Sequence, residues 1–349
     1  MTKKDNRKQS PFRKSKTSGK RTLIKNEGNT ENAKEGTVVA TVGTSYIIRG
    51  AEGELVEAYL GGTVISQYPD ATVVVVGDRV HYLPSELEKE EVDIVFDEEI
   101  STKARIVRVN ERKTRFSRKS AHYNSKEQVM AANIDSVIIF MSCFDPDYNK
   151  KLIDRYIVAC EIGEVEPIIV INKYDLTEEI EGYEEAFEED MQAYDDLGYK
   201  IFPISVEEEF GLEELSEAIQ GKTTLITGPS GVGKSSFVNK LLDGDYQDVG
   251  YISERTGKGL HTTSSSRMFS YGKDGFIIDS PGIRELAVWG IEEGELQLYY
   301  HDFDEFSEEC KYPLCTHVHE PECGVKEAVE EGQIDPDRYY SYLNFLDTL

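Results

Sequence analysis

Residues Ile171 to Leu176 read INKYDL, and residues Gly228 to Ser236 read GPSGVGKSS. The first stretch holds Asn172, Lys173, Tyr174 and Asp175, an N-K-x-D pattern suited to reading guanine. The Asp175 carboxylate would accept from guanine N1 and N2, a donor pair that adenine lacks. Asn172 would support the base and neighbouring loops, and the Lys173 stem would lie across the ring. The second stretch fits G-x-x-x-x-G-K-[ST], the loop that cradles phosphates. Domains carrying both patterns place the phosphate loop first. Here it comes second, so the order of the two stretches decides what fold to expect.

The phosphate loop lies in the context its chemistry requires. The apolar run TTLIT precedes it and the helical pattern SSFVNKLL follows. The glycines let backbone amides wrap the phosphates at a helix N-terminus, and Gly228, Pro229, Ser230, Gly231, Val232 and Gly233 are the expected nucleotide-binding residues of the loop. Lys234 is expected to reach the β- and γ-phosphates and the Ser235 hydroxyl to ligate Mg²⁺, with Ser236 beside it.

Downstream, GFIIDSPG closes an apolar run with Asp279 and Gly282, a D-x-x-G. Asp279 would hold Mg²⁺ through water, and the Gly282 amide would sense the γ-phosphate. Between the two motifs lies ERTGKGLHTTSSS, polar and glycine-rich as a switch should be. Thr262 or Thr263 would supply a second Mg²⁺ hydroxyl, Thr263 being preferred. A glutamine after D-x-x-G orients the attacking water in many guanine-nucleotide hydrolases. This chain has Ile283, which leaves His261 as the nearest candidate. Hydrolysis is therefore expected to be slow until a partner accelerates it. Ser205 and Val206, at the end of KIFPIS, occupy the place of a second base-contacting loop.

The order base motif, second base loop, phosphate loop, switch, D-x-x-G is the usual circle cut after D-x-x-G. Termini of a domain commonly lie close together, so such a cut is tolerable and each strand can keep its place in the sheet. Around it, buried runs such as DSVIIFMS and PIIVIN alternate with amphipathic stretches such as NKKLIDRYIVACEIG and YEEAFEEDMQAYDDLG. That alternation predicts a parallel α/β sheet.

Other regions flank it. GTVVATV, SYIIRG, ELVEAYL, ATVVVVGDRVHYL, VDIVF and ARIVRV predict five or six short strands, for which an OB-fold barrel is the natural closure. Late in the chain, CKYPLCTHVHEPEC gives C-x4-C-x-H-x5-C. Cys310, Cys315, His317 and Cys323 fit a closed tetrahedral Zn²⁺ site, with His319 a competing ligand. Cys143 and Cys160 read as small buried hydrophobes. The expected organisation is a basic disordered arm over 1–35, the barrel over 36–118, the nucleotide domain over 119–285 and a helical zinc module over 286–349.

The net charge of -27 opposes nucleic-acid binding over most of the surface, so RNA contact must come from the basic arm and local patches. The odd cysteine count of 5, with no apolar run after the basic N-terminus, predicts a reducing cytoplasm rather than secretion. No apolar run is long enough for a membrane span.

With these residues assembled, the chain resembles the RsgA (YjeQ) family, circularly permuted GTPases of bacteria that depend on the small ribosomal subunit. VGDRV, AANIDSVIIF, LIDRYIVACE, NKYDL, GPSGVGKSSFVN, GKGLHTT, DSPGIRELAVWG and the cysteine–histidine pattern carry the resemblance, from about Gly36 to the C-terminus. It implies a monomeric cytoplasmic factor that binds the small subunit and its rRNA late in maturation, and leaves when GTP becomes GDP. It also implies stimulation of hydrolysis by rRNA, with His261 matching the family's proposed catalytic histidine. Pro229 stands where the family usually has a polar residue. Two other readings remain: an RNA-binding adaptor that uses GTP only as a ligand, and a P-loop ATPase or kinase in which Asn172 and Asp175 are coincidental.

Overall fold

A computed structural model describes residues 32–65, 71–95, 98–120, 126–178, 180–242, 266–279 and 286–349. Five strands come first: β1 (Lys34–Val42), β2 (Ser45–Gly50), β3 (Leu55–Ile65), β4 (Arg79–Val95) and β5 (Glu98–Val109). They pair in the order β1-β2-β3-β5-β4, and β4 returns to β1, so the sheet closes on itself. The β3–β5 pair is parallel and the others antiparallel, the arrangement of an OB-type barrel. Val38, Ile48, Val56, Val80, Tyr82 and Ile106 fill its interior.

Two expectations about this region need correction. The first strand begins at Lys34, inside the segment assigned to the arm; residues 1–31 lie outside the described residues. The apolar run at 71–77 is not a strand, and Val92 to Val95 form the end of β4 rather than a strand of their own. The valines are buried in different directions: Val74 enters the barrel core, Val75 packs with Val129 and Ala132, and Val76 joins the main core. A buried Asp78 carboxylate accepts from the Val75 amide (2.8 Å) and from Nε of buried Arg112 (2.8 Å), holding the run as a plug. Alternation in sequence cannot tell such a plug from a strand.

A hairpin of β6 (Arg115–Lys119) and β7 (Glu127–Ala132) follows, so the boundary drawn at 118 falls within β6. Then comes the second sheet. Its strands are β8 (Ser136–Ser142), β9 (Glu166–Asn172), β10 (Lys200–Pro203), β11 (Thr223–Thr227), β12 (Arg267–Tyr271) and β13 (Gly275–Asp279). They lie in the order β10-β9-β8-β11-β13-β12, all parallel except the β12–β13 pair. Every residue of β8 is buried, as expected of a strand covered on both faces.

Helices α1 (Lys150–Ile162) and α2 (Tyr183–Asp196) cover one face; α3 (Leu212–Ile219) and α4 (Lys234–Leu241) cover the other. The Asn149 side chain caps α1 by accepting from the Leu152 amide. The C-terminal region adds α5 (Asp304–Ser307), α6 (Gly324–Glu330) and α7 (Pro336–Leu346), with a 3₁₀ turn over Glu293–Tyr299. It packs on α1: buried Arg338 of α7 pairs with buried Asp154 of α1 and with Asp302 (3.0 Å). Arg155 lies over the Phe345 ring, 4.4 Å from its centroid.

The strand β12 is absent from the sequence expectations. It matters because it joins the two sheets: Ala40 of β1 pairs with Arg267 of β12. The barrel therefore continues the edge of the second sheet.

Candidate nucleotide site and metal cluster

The C-terminal ends of β8, β9, β11 and β13 converge, which is where an open α/β sheet binds ligands. β11 ends at Thr227, and α4 begins at Lys234, so the phosphate-loop sequence spans the strand-to-helix turn. Two of its glycines have no substitute. A Cβ on Gly228 (φ +151°) would lie 2.0 Å from the Phe140 carbonyl oxygen. A Cβ on Gly233 (φ +98°) would lie 2.3 Å from Asn172 Nδ2. Both positions need glycine for space and for conformation.

Lys234 is the first helical residue and is buried; its Nζ donates to the Gly228 carbonyl (2.9 Å) and the Pro229 carbonyl. Burial depresses its pKa, and the neighbouring Asp279 carboxylate opposes that shift. Asp279 closes β13, in register with Ile226 of β11. Ser230, Ser235 and Ser236 are exposed at the turn, and Val232 is buried under it.

Asn172 sits between two loops of the site. Its Nδ2 donates to the Val232 carbonyl (2.8 Å), and its Oδ1 accepts from the Val206 amide (3.1 Å). One buried side chain thus ties the phosphate turn to the loop at Ser205 and Val206. That loop is itself closed: the Ser205 amide donates to the Phe210 carbonyl, and Ser205 Oγ accepts from the Glu208 amide. Lys173 is left-handed (φ +63°), and its Nζ donates to the Phe144 and Asp145 carbonyls. Tyr174 turns its ring into a cluster with Tyr183, Phe187 and Phe210, leaving Asp175 at the start of a 3₁₀ turn. The Phe144–Asp145 contribution was missed; only the turn-forming D-P at 145–146 hinted at it. His261, Thr262, Thr263, Gly282 and Ile283 lie outside the described residues.

The C-terminal cluster is assembled as the spacing predicts. One donor atom each from Cys310, Cys315, His317 and Cys323 lies within 4.8 Å of the others. Cys310 and Cys323 sulfurs are 3.8 Å apart, and His317 Nδ1 lies 3.3 and 3.6 Å from Cys323 and Cys310. A tetrahedral zinc with the usual bond lengths sets edges of about 3.8 Å between sulfurs and about 3.6 Å between sulfur and nitrogen. The donor set fits such an ion. Burial pushes the Cys315 thiol up to about 12 and lowers His317, so the site favours neutral imidazole and needs a cation to make thiolates favourable. His319 is not part of the cluster.

A sequence model of the RsgA GTPase family matches residues 109–289, just over half of the chain. The chain belongs to the RsgA GTPase family. It is thus a GTPase, and its own sequence carries the guanine motif ahead of the phosphate loop. The RsgA named "Small ribosomal subunit biogenesis GTPase RsgA" from Chlorobaculum parvum is 39% identical over 318 residues, covering 90% of this chain and 97% of the relative. An RsgA 2 from Bacteroides thetaiotaomicron is 34% identical over 315 residues, covering 90% and 96%. The crystal structure of YjeQ from Thermotoga maritima matches 90% of this chain and 98% of its own, with TM-score 0.66 and 30% identity. YloQ, described as a circularly permuted GTPase, has TM-score 0.62 at 23% identity over 93% of this chain and 97% of its own, a likeness of fold. Among the described residues, no helix is long and apolar enough to cross a membrane.

Proposed function

We propose that this RsgA-family GTPase assists late maturation of the small ribosomal subunit in the cytoplasm, acting as a monomer that leaves when GTP is hydrolysed. The single observation that carries the coupling is the Ala40–Arg267 pairing of β1 with β12. A partner held by the barrel meets the strand that runs between the switch segment and D-x-x-G. The names of the relatives supply the partner. The barrel supplies a surface for RNA: Lys103, Arg105 and Arg108 are exposed along β5, and Tyr59, opposite Arg105, is 40% exposed on β3. Aromatic faces beside cationic side chains suit unpaired bases and phosphates. This local patch, with the basic arm, answers the net charge of -27.

In this reading Asp175 recognises the guanine edge, Asn172 and Lys173 hold the loops around it, and Ser205 and Val206 close the second side. The amides around Gly228 to Gly233 and Lys234 hold the phosphates. Ser235, Asp279 and Thr263 hold Mg²⁺, which when bound neutralises phosphate charge. His261 positions water, and Gly282 senses the γ-phosphate. Cys310, Cys315, His317 and Cys323 hold one structural Zn²⁺. The functional units are the arm ahead of Lys34, the barrel from β1 through β5, the GTPase domain that follows it and the zinc module from 286 onward.

The test is GTP turnover with and without purified small subunits, for the wild type and His261→Ala. Subunits should accelerate the wild type and not the variant. Stimulation that survives the substitution moves water positioning away from His261. Absence of stimulation in the wild type removes the proposed partner. Deleting residues 1–33, which leaves β1 whole, should weaken subunit binding most at low salt, where phosphate contacts dominate; equal binding across salt concentrations refutes a role for the arm.

A further inference from the structure

The cysteine–histidine cluster is held by a residue outside the C-x4-C-x-H-x5-C pattern. Gln297 lies on the 3₁₀ turn Glu293–Tyr299, in the segment that leaves the D-x-x-G region. Its Oε1 is 2.6 Å from His317 Nε2. The amide orientation follows from its other end, where Nε2 of Gln297 faces the Gly294 carbonyl at 3.4 Å. An amide oxygen only accepts, so His317 Nε2 carries the hydrogen and Nδ1 is left with its lone pair toward the thiols. Nδ1 is also the nitrogen 3.3 Å from Cys323 Sγ.

The rest of His317 is fixed as firmly. Its backbone is left-handed (φ +59°), and its carbonyl accepts from Tyr339 Oη at 2.7 Å. The preceding carbonyl, of Thr316, accepts from Tyr342 Oη at 2.8 Å. The Phe303 ring meets the imidazole edge-on at 5.9 Å. Ser307 Oγ, 3.4 Å from Nε2, is a longer and poorer alternative acceptor. Orientation thus comes from several contacts, whereas the choice of nitrogen comes from Gln297.

The position of Gln297 along the chain gives this contact a second consequence. Leu286, Val288, Ile291 and Leu296 of the same segment are buried in the main core, and the Ala287 carbonyl accepts from the Lys119 amide (2.7 Å) of β6. The turn bearing Gln297 therefore joins the buried segment from Leu286 onward to the metal cluster.

We infer that Gln297 is the positioning residue of the metal site: it selects His317 Nδ1 as the ligand, and through it metal occupancy orders the segment that leaves the switch. The inference rests on the zinc reading given above and adds an outer partner to it; such partners typically change metal affinity about 10- to 100-fold.

The experiment uses the full-length zinc-loaded protein, with Gln297→Leu and Gln297→Glu. Zinc release to a chromophoric chelator should be about 10- to 100-fold faster for Gln297→Leu. Gln297→Glu, which keeps an acceptor of the same length, should release within a few-fold of the wild type. Backbone hydrogen exchange supplies the second readout. Stripping zinc from the wild type should speed exchange over 293–300 as well as over 307–323. In Gln297→Leu the first segment should already exchange fast with zinc bound. Release within twofold of wild type for Gln297→Leu, or equal loss in Gln297→Glu, overturns the role of the acceptor. Unchanged exchange over 293–300 on stripping the wild type overturns the coupling. A wild type that binds no zinc sinks the metal reading itself, a result distinct from both.

Discussion

Asn172→Ala removes two hydrogen bonds from the nucleotide site without touching the hydrogen bonds of Lys234. The lost bonds are the donation to the Val232 carbonyl (2.8 Å) and the acceptance from the Val206 amide (3.1 Å), made by a side chain that is 3% exposed. A neutral buried bond is worth about 1–1.5 kcal/mol net, so both together amount to about 2–3 kcal/mol. Because they tie two loops that must both be in place for the base, most of that loss should appear as weaker nucleotide binding. GDP and GTP affinities should both fall by about 30- to 150-fold, since every 1.4 kcal/mol is tenfold. Titration calorimetry of GDP with Mg²⁺ measures this, with circular dichroism confirming the fold. The contact also makes a coupled prediction. A Cβ on Gly233 would meet Asn172 Nδ2 at 2.3 Å, so Gly233→Ala should cost less in the Asn172→Ala background than alone. Its φ of +98° keeps a residual penalty in both. GDP affinity within twofold of wild type in a folded Asn172→Ala protein, or strict additivity of the two substitutions, refutes the claim that Asn172 clamps the loops.

Asp175→Asn should lower the preference for GTP over ATP by at least about tenfold in competition binding, as expected when a matched hydrogen-bond pair to the base is lost; unchanged selectivity rejects Asp175 as the guanine reader. Arg338→Ala leaves the buried Asp154 carboxylate without its cation and should destabilise by about 3–5 kcal/mol in urea denaturation; a loss below about 1 kcal/mol would mean that Asp154 is neutral in the fold. His301 is raised to about 10 by its hydrogen bonds to Asp304 and Glu161, against an ordinary 6.5. A base raised in the folded state stabilises fully below its unfolded value and loses that contribution as pH climbs to the folded one. The stability difference between wild type and His301→Gln should therefore be largest below about pH 6.5 and fade toward about pH 10; a difference that is flat with pH contradicts the ion pairing.

How much of this was legible in the sequence depends on how local the information was. GPSGVGKSS and INKYDL were legible because each packs strand end, turn chemistry and ligand groups into a few adjacent residues. The cysteine–histidine cluster was legible for the same reason, down to the choice of His317 over His319. The plug at 71–77 was misread as a strand because burial toward three different cores leaves the same apolar run as burial in one sheet. The partner that gives it away, Arg112, lies 34 residues beyond Asp78. Gln297 was invisible because a lone glutamine 20 residues before its histidine carries no pattern at all.

The missed strand β12 shows what such gaps conceal. RMFSY is short and half-exposed, and it follows a polar switch, so nothing in its composition marks it as structural. Yet it has a particular place. Within the nucleotide domain β12 is the outermost strand, with β13 on one side and β1 of the barrel on the other. An open edge offers unpaired backbone groups to any neighbouring strand. In this chain β1 takes that edge at Ala40. A barrel that precedes β8 in the chain and is seated on β12 touches the domain at two places. Displacing it would have to move the strand that joins the switch to Asp279. The consequence is measurable: a proline at Ala40, the residue of β1 paired with Arg267, should disturb that pairing and uncouple partner binding from GTP hydrolysis while leaving nucleotide affinity unchanged. Equal stimulation by the partner in Ala40→Pro would show that the signal travels by another route.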